Sequence, residues 1–194
     1  MSQTKLQTWP QRSLEGPRIE KRGSFLIVGL RRHYTDDRIS NLPAQWQQFV
    51  AYLGKIPGQI GHTTYGACLS PANGAAGIDY LTGVEVSSVA GLRAEFSVVT
   101  ASAQDYAVFV HRGHVSQLRD SLDAIWQEQL PESGLQVSAA SADSPVFFEC
   151  YSERFDPRTA TGDVEIWIPI KLRENTNQKG ELYAEDHPVP VVRR

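Results

Sequence analysis

The chain spells the same succession of elements twice, about 80 residues apart, and few folds accommodate that. Phe25 and Tyr106 open two apolar strand-like runs 81 residues apart. Trp46 in Trp-Gln-Gln and Trp126 in Trp-Gln-Glu lie 80 apart, on the two helical stretches. Cys68 in Cys-Leu-Ser and Cys150 in Cys-Tyr-Ser lie 82 apart, and Glu85 and Glu165 lie 80 apart in Val-Glu-Val and Val-Glu-Ile. Four landmarks in one order at nearly one period read as an internal duplication of a β-α-β-β unit.

Each unit carries its own signals. In the first, Phe25 to Leu30 reads as a buried strand. Leu42, Trp46, Phe49, Val50 and Leu53 then form one apolar stripe of a helix, opened by Asn41 and Pro43 and closed near Gly54. Residues 63–70 and 78–87 read as strands around a loop of turn residues, 71–77. In the second, residues 106–111 form a strand. A helix follows with Leu118, Leu122, Ile125, Trp126 and Leu130 as its stripe, ended by Pro131 and Ser133-Gly134. Residues 146–152 and 163–171 supply the last two strands. Residues 1–16 are expected to be a flexible leader, 17–172 the domain (repeats about 18–88 and 92–172), and 173–194 a polar tail. One helix covers only one face of a small sheet, so two units related by a pseudo-two-fold should share their exposed faces. The expected fold is α+β: duplicated modules, antiparallel strands, helices outside and a central ligand groove.

Alternation along the last strands nominates site residues. Val164, Ile166, Ile168 and Ile170 fall on one face of 162–170, and Asp163, Glu165 and Trp167 on the other. Strands are depleted in glutamate, and one set beside an indole asks for a reason. On 146–152, Phe147, Glu149 and Tyr151 share a face, which makes Tyr151 a candidate groove residue. Tyr65 and Tyr80 are its first-half counterparts. Trp46 and Trp126 sit at the margins of their helical stripes.

Composition removes several function classes. A net charge of −3 is wrong for non-specific nucleic-acid binding, which wants a basic face. The longest apolar run, Phe25 to Leu30, is far too short to span a membrane. No charged-then-apolar leader of the secretory kind is read, and two cysteines inside strands suit a reducing, cytoplasmic setting. Phosphate-binding, dinucleotide and nucleophile-elbow patterns are missing, and no histidine is spaced for a metal. No cofactor or metal is expected.

The words YGACLS, IDYLTGVEV, YAVFVHRG, IWQEQLPESG, FFECYSERFDP and GDVEIWIPI resemble the GyrI-like small-molecule-binding family, from about Arg18 to Lys171. That family supplies the effector-binding domain of AraC-type and MerR-type multidrug-responsive regulators. The resemblance implies two β-α-β-β modules around a groove that takes up lipophilic, often cationic compounds. It implies that Glu165, by motif position, is the groove glutamate. No helix-turn-helix fits the residues before the domain, so a stand-alone binding module without direct DNA contact is expected.

A carboxylate in an apolar groove loses hydration that only a cation restores, and aromatic faces add about 0.5 to 2 kcal/mol per cation–π contact. Glu165, Trp167, Tyr151, Trp126, Tyr80 and Glu85 are therefore the expected ligand-binding residues. The resemblance also leaves open a hydrolase of electrophilic, cyclopropane-type compounds, with Glu165 and Tyr151 as the acting pair, and an inhibitor that binds another protein. A protein partner or a homodimer is compatible with any of these.

Overall fold

The computed structural model describes residues 14–138 and 144–171; the tail 173–194, and the leader up to residue 13, lie outside the described residues. Among the described residues, nine strands form one antiparallel sheet: β1 (Leu14–Arg22), β2 (Phe25–Tyr34), β3 (Gln59–Leu69), β4 (Ile78–Val86), β5 (Ser97–Ala101), β6 (Gln104–His114), β7 (Gln136–Val137), β8 (Phe147–Asp156) and β9 (Thr161–Lys171). Their order is β1-β6-β9-β8-β3-β4-β2-β5, with the short β7 paired to the end of β9. Matching β2 to β6, β3 to β8 and β4 to β9, as the sequence repeat does, makes this order read alike from both ends. The midline is the β3–β8 ladder, where Gly66 faces Glu149.

The strand before each unit was not foreseen. Residues 14–16, expected in the leader, belong to β1, and β5 precedes the second unit. Each joins the other unit: β1 pairs with β6, and β5 with β2. Both ladders share one register, since Arg22 faces Gln104 and Phe25 faces Ala101. Only Gly23-Ser24 and Ser102-Ala103 interrupt the run. The two ends of the sheet are therefore brought together along this seam, and the sheet curls. The rings of Phe25 on β2 and Tyr106 on β6 both touch Phe148 on β8, at 5.6 and 5.5 Å. Three strand spacings on a flat sheet would separate β2 from β8 by about 14 Å.

The curl gives the sheet an inner and an outer face. Phe25, Ile27, Tyr65, Leu81, Tyr106, Val108, Phe148 and Trp167 fill the inner face. The helices lie on the outer one. Here α1 (Leu42–Val50) covers Val28, Leu30, Val84 and Val86 through Phe49, and α2 (Leu118–Ala124) covers Phe109, Val164, Ile166 and Ile168 through Leu118 and the following Ile125. Helices outside is as expected, and the two units share one continuous sheet. Gln45, fully buried on α1, fixes that helix by donating from Nε2 to Leu30 O (2.8 Å), Tyr80 O (3.1 Å) and Thr82 Oγ1 (3.0 Å).

The second helix does not stop at Pro131. It widens into a π turn (Ile125–Gln129) and finishes with one α turn, α3 (Leu130–Ser133), capped by Gly134 in the left-handed conformation. A proline has no N–H and its ring collides with the carbonyl four residues back. The widened turn, in which Leu130 N–H donates to Ile125 O, places that conflict where the helix can absorb it. Trp126 sits in this turn. No helix among the described residues is long and apolar enough to cross a membrane.

Candidate functional site

At the midline, on the outer face between α1 and α2, lies a carboxyl group that the sequence did not single out. Glu149 is the middle residue of the apolar stretch Phe147–Tyr151 and is only 5% exposed. Its Oε2 accepts hydrogen bonds from Tyr80 Oη at 2.5 Å and from Tyr151 Oη at 2.9 Å. Its Oε1 takes none from a described residue. No Lys, Arg or His among the described residues forms an ion pair with Glu149.

Backbone geometry makes this cluster. Gly66 faces Glu149 on one side and Thr82 on the other, so it lies between β8 and β4. A Cβ there would fall 1.8 Å from Tyr80 Oη and 2.6 Å from Glu149 Oε2. The missing side chain is the passage through which Tyr80 reaches across β3 to the carboxyl. Aromatic groups complete the walls. Trp46 from α1 leans edge-on against Tyr151 at 4.9 Å, Phe155 meets Tyr151 at 5.0 Å, and Trp126 meets Phe147 at 6.2 Å. Trp46, Trp126 and Phe147 remain partly exposed, so aromatic surface adjoins the buried acid, while an open pocket of the structure lies apart from it, between Ile56 and His62.

The electrostatics follow from burial. Loss of solvent pushes the Glu149 carboxyl above the usual carboxylate range, against the opposing pull of its two tyrosine hydrogen bonds. Burial and the adjacent carboxyl push Tyr80 and Tyr151 well up, and burial takes the Cys68 thiol up to about 12. Among the described residues the cluster therefore joins one carboxyl to phenols and a thiol that burial keeps neutral.

The other expected site residues separate from this cluster. Glu165 pairs across the sheet with Cys150, and Tyr151 pairs with Val164, so Glu165 and Tyr151 lie on opposite faces and cannot act as a pair. Glu165 points to the inner face, where Arg18 and Arg154 hold its Oε1 at 2.9 and 2.8 Å and Trp167 Nε1 donates to its Oε2 at 3.0 Å. Its charge is matched by two guanidinium groups, which corrects the expectation of a counter-charge left for a ligand. Trp167 is stacked on Phe148 at 5.7 Å as part of the inner packing, and does not line the outer face. Glu85, the counterpart of Glu165, is likewise held by Arg22 at 2.8 Å and by the Tyr65 hydroxyl at 3.1 Å. Arg22 also lies 3.7 Å above the Phe25 ring. Of the six residues expected, Tyr151, Tyr80 and Trp126 lie on the outer face with Glu149, and Glu165, Trp167 and Glu85 do not. Glu149 was legible as a strand glutamate between two aromatics of its own face, the same signal that nominated Glu165.

Comparison with known proteins sets this geometry in a family. The chain is 31% identical over 166 residues to the transcriptional regulator BrlR of Pseudomonas aeruginosa, matching 84% of this chain and 57% of that protein. The chain thus spans little more than half the length of that relative. A structure of SAV2435 bound to tetraphenylphosphonium superposes with a TM-score of 0.64 at 21% identity, over 81% of this chain and 94% of that one. The C-terminal domain of EcmrR does so with a TM-score of 0.56 at 14% identity, over 80% and 97%. At these identities the two structures speak for the fold. Residues 16–171 match the GyrI-like small molecule binding domain, nearly the whole of the described chain, and the protein belongs to that family.

Proposed function

We propose that the aromatic surface between α1 and α2 binds lipophilic organic cations, with Glu149 as the counter-charge and Trp46, Trp126, Phe147 and Tyr151 as the groups that pack on them. The observation that carries this reading is the buried Glu149 carboxyl, hydrogen-bonded by two tyrosines and matched by no cation of the described chain. The two hydrogen bonds offset only part of the lost hydration, and an incoming positive charge supplies the rest, so the group favours cations over neutral compounds of the same shape. The aromatic faces add cation–π attraction and apolar contact. The phosphonium named in the SAV2435 structure has this chemistry: one delocalised positive charge inside an apolar shell. Likeness to BrlR adds a second layer to the proposal, in which ligand occupancy is passed on to transcription.

The test is calorimetric titration of tetraphenylphosphonium into the wild type and Glu149→Gln, with triphenylphosphine oxide as a neutral relative. The wild type should prefer the phosphonium, and Glu149→Gln should bind it at least about tenfold more weakly, the equivalent of about 1.4 kcal/mol. Equal affinity in the two proteins, with the variant folded, would remove Glu149 from the site.

A further inference from the structure

The arrangement of hydrogen bonds around Glu149 says where its proton resides. Each tyrosine hydroxyl has one hydrogen to give, and both give it to Oε2. When the carboxyl is neutral, its acidic hydrogen is therefore on Oε1, the oxygen that has no hydrogen-bond partner among the described residues. Among the described residues, the groups around it offer no alternative proton donor or counter-charge. Tyr80 comes from β4, Tyr151 from β8 and Cys68 from β3, all pushed upward by burial. Above the cluster, α1 presents Gln45 and Trp46 and the π turn presents Trp126, none of which titrates.

We propose that uptake of an organic cation at this surface displaces one proton, from Oε1 of Glu149 to the solvent. The proposal rests on the reading of this surface as a cation site and adds how that site is regulated. The exchange balances: neutral acid plus free cation gives carboxylate–cation pair plus a solvated proton, and the net charge of the site stays at zero. Keeping the buried charge at zero is the physical reason for the coupling, because neither a lone carboxylate nor a lone cation is well solvated there. Burial of the acid acts in the same direction, since it favours the protonated form before the ligand arrives. By linkage, affinity should rise with pH, up to tenfold per pH unit, until the free protein itself loses the proton, and then level off.

Tetraphenylphosphonium is the probe of choice because it has no ionisable hydrogen, so any proton released comes from the protein. Calorimetric titrations run at one pH in two buffers of different ionisation enthalpy, repeated from about pH 5 to about pH 8, count the protons released at each pH. The expected result is more release at the acid end than at the alkaline end, falling toward zero as the affinity plateaus. In Glu149→Gln both the release and the pH dependence of any residual binding should vanish, whereas Glu165→Gln should keep them. Binding of the probe with identical enthalpies in both buffers and a flat affinity across the range overturns the proton exchange and leaves the cation site standing. No binding of the probe at any pH overturns both.

Discussion

Glu149 and Glu165 are both strand glutamates with an aromatic residue two positions on, and one residue of parity separates their roles. Glu165 faces Cys150 across the β8–β9 ladder and so projects to the inner face, into reach of Arg18 and Arg154. Glu149 faces Gly66 and Ile166 and projects to the outer face, where two neutral tyrosines meet it. Glu165→Gln is therefore expected to leave phosphonium affinity unchanged. Its partners Arg18 and Arg154 are substantially exposed, so the lost ion pairs should cost at most about 1 kcal/mol in denaturant unfolding. A tenfold loss of affinity in Glu165→Gln would return the counter-charge to the inner face.

At the scale of elements, the second helix carries a local conflict that shapes the proposed binding surface. Pro131 follows an otherwise regular stripe, and the π turn ahead of it adds a residue to one turn of the helix just where Trp126 projects. Pro131→Ala removes the cause, and one residue's worth of rotation, about 100°, would carry the indole along the helix surface away from Phe147. The expected outcome is a variant at least as stable as the wild type in thermal melting, with altered tryptophan emission and weaker phosphonium binding. Unchanged binding would mean that the position of Trp126 is set by packing against Phe147 and not by the turn. On α1, Gln45 does the corresponding work with hydrogen bonds to β2 and β4, holding Trp46 over Tyr151.

For the whole molecule, the exchanged strands decide how the chain unfolds. Each unit completes its sheet with the strand that precedes the other unit, so neither can form its ladder alone. The rings of Phe25 and Tyr106, from different units, also share Phe148 in one interior. Thermal unfolding followed by far-ultraviolet circular dichroism and by tryptophan fluorescence should thus give coincident, single transitions. Two separated transitions would show that the units are independent.

Much of this was open to a reader of the sequence. The period of about 80 residues, the alternation of strands and the stripes of two helices all rest on local spacing, which survives folding because backbone geometry fixes it. What the spacing could not convey was which of two faces lies under the helices, for in a sheet buried on both sides each alternating set is equally apolar. Nor could it show β1 and β5 crossing between units, a pairing between residues some 80 positions apart. The choice between two similar glutamates belonged to tertiary structure alone. Arginines from β1 and β8 converge on one, and a glycine on β3 lets a tyrosine from β4 reach the other, so charge neutralisation and burial, which depend on distant neighbours, assigned their parts.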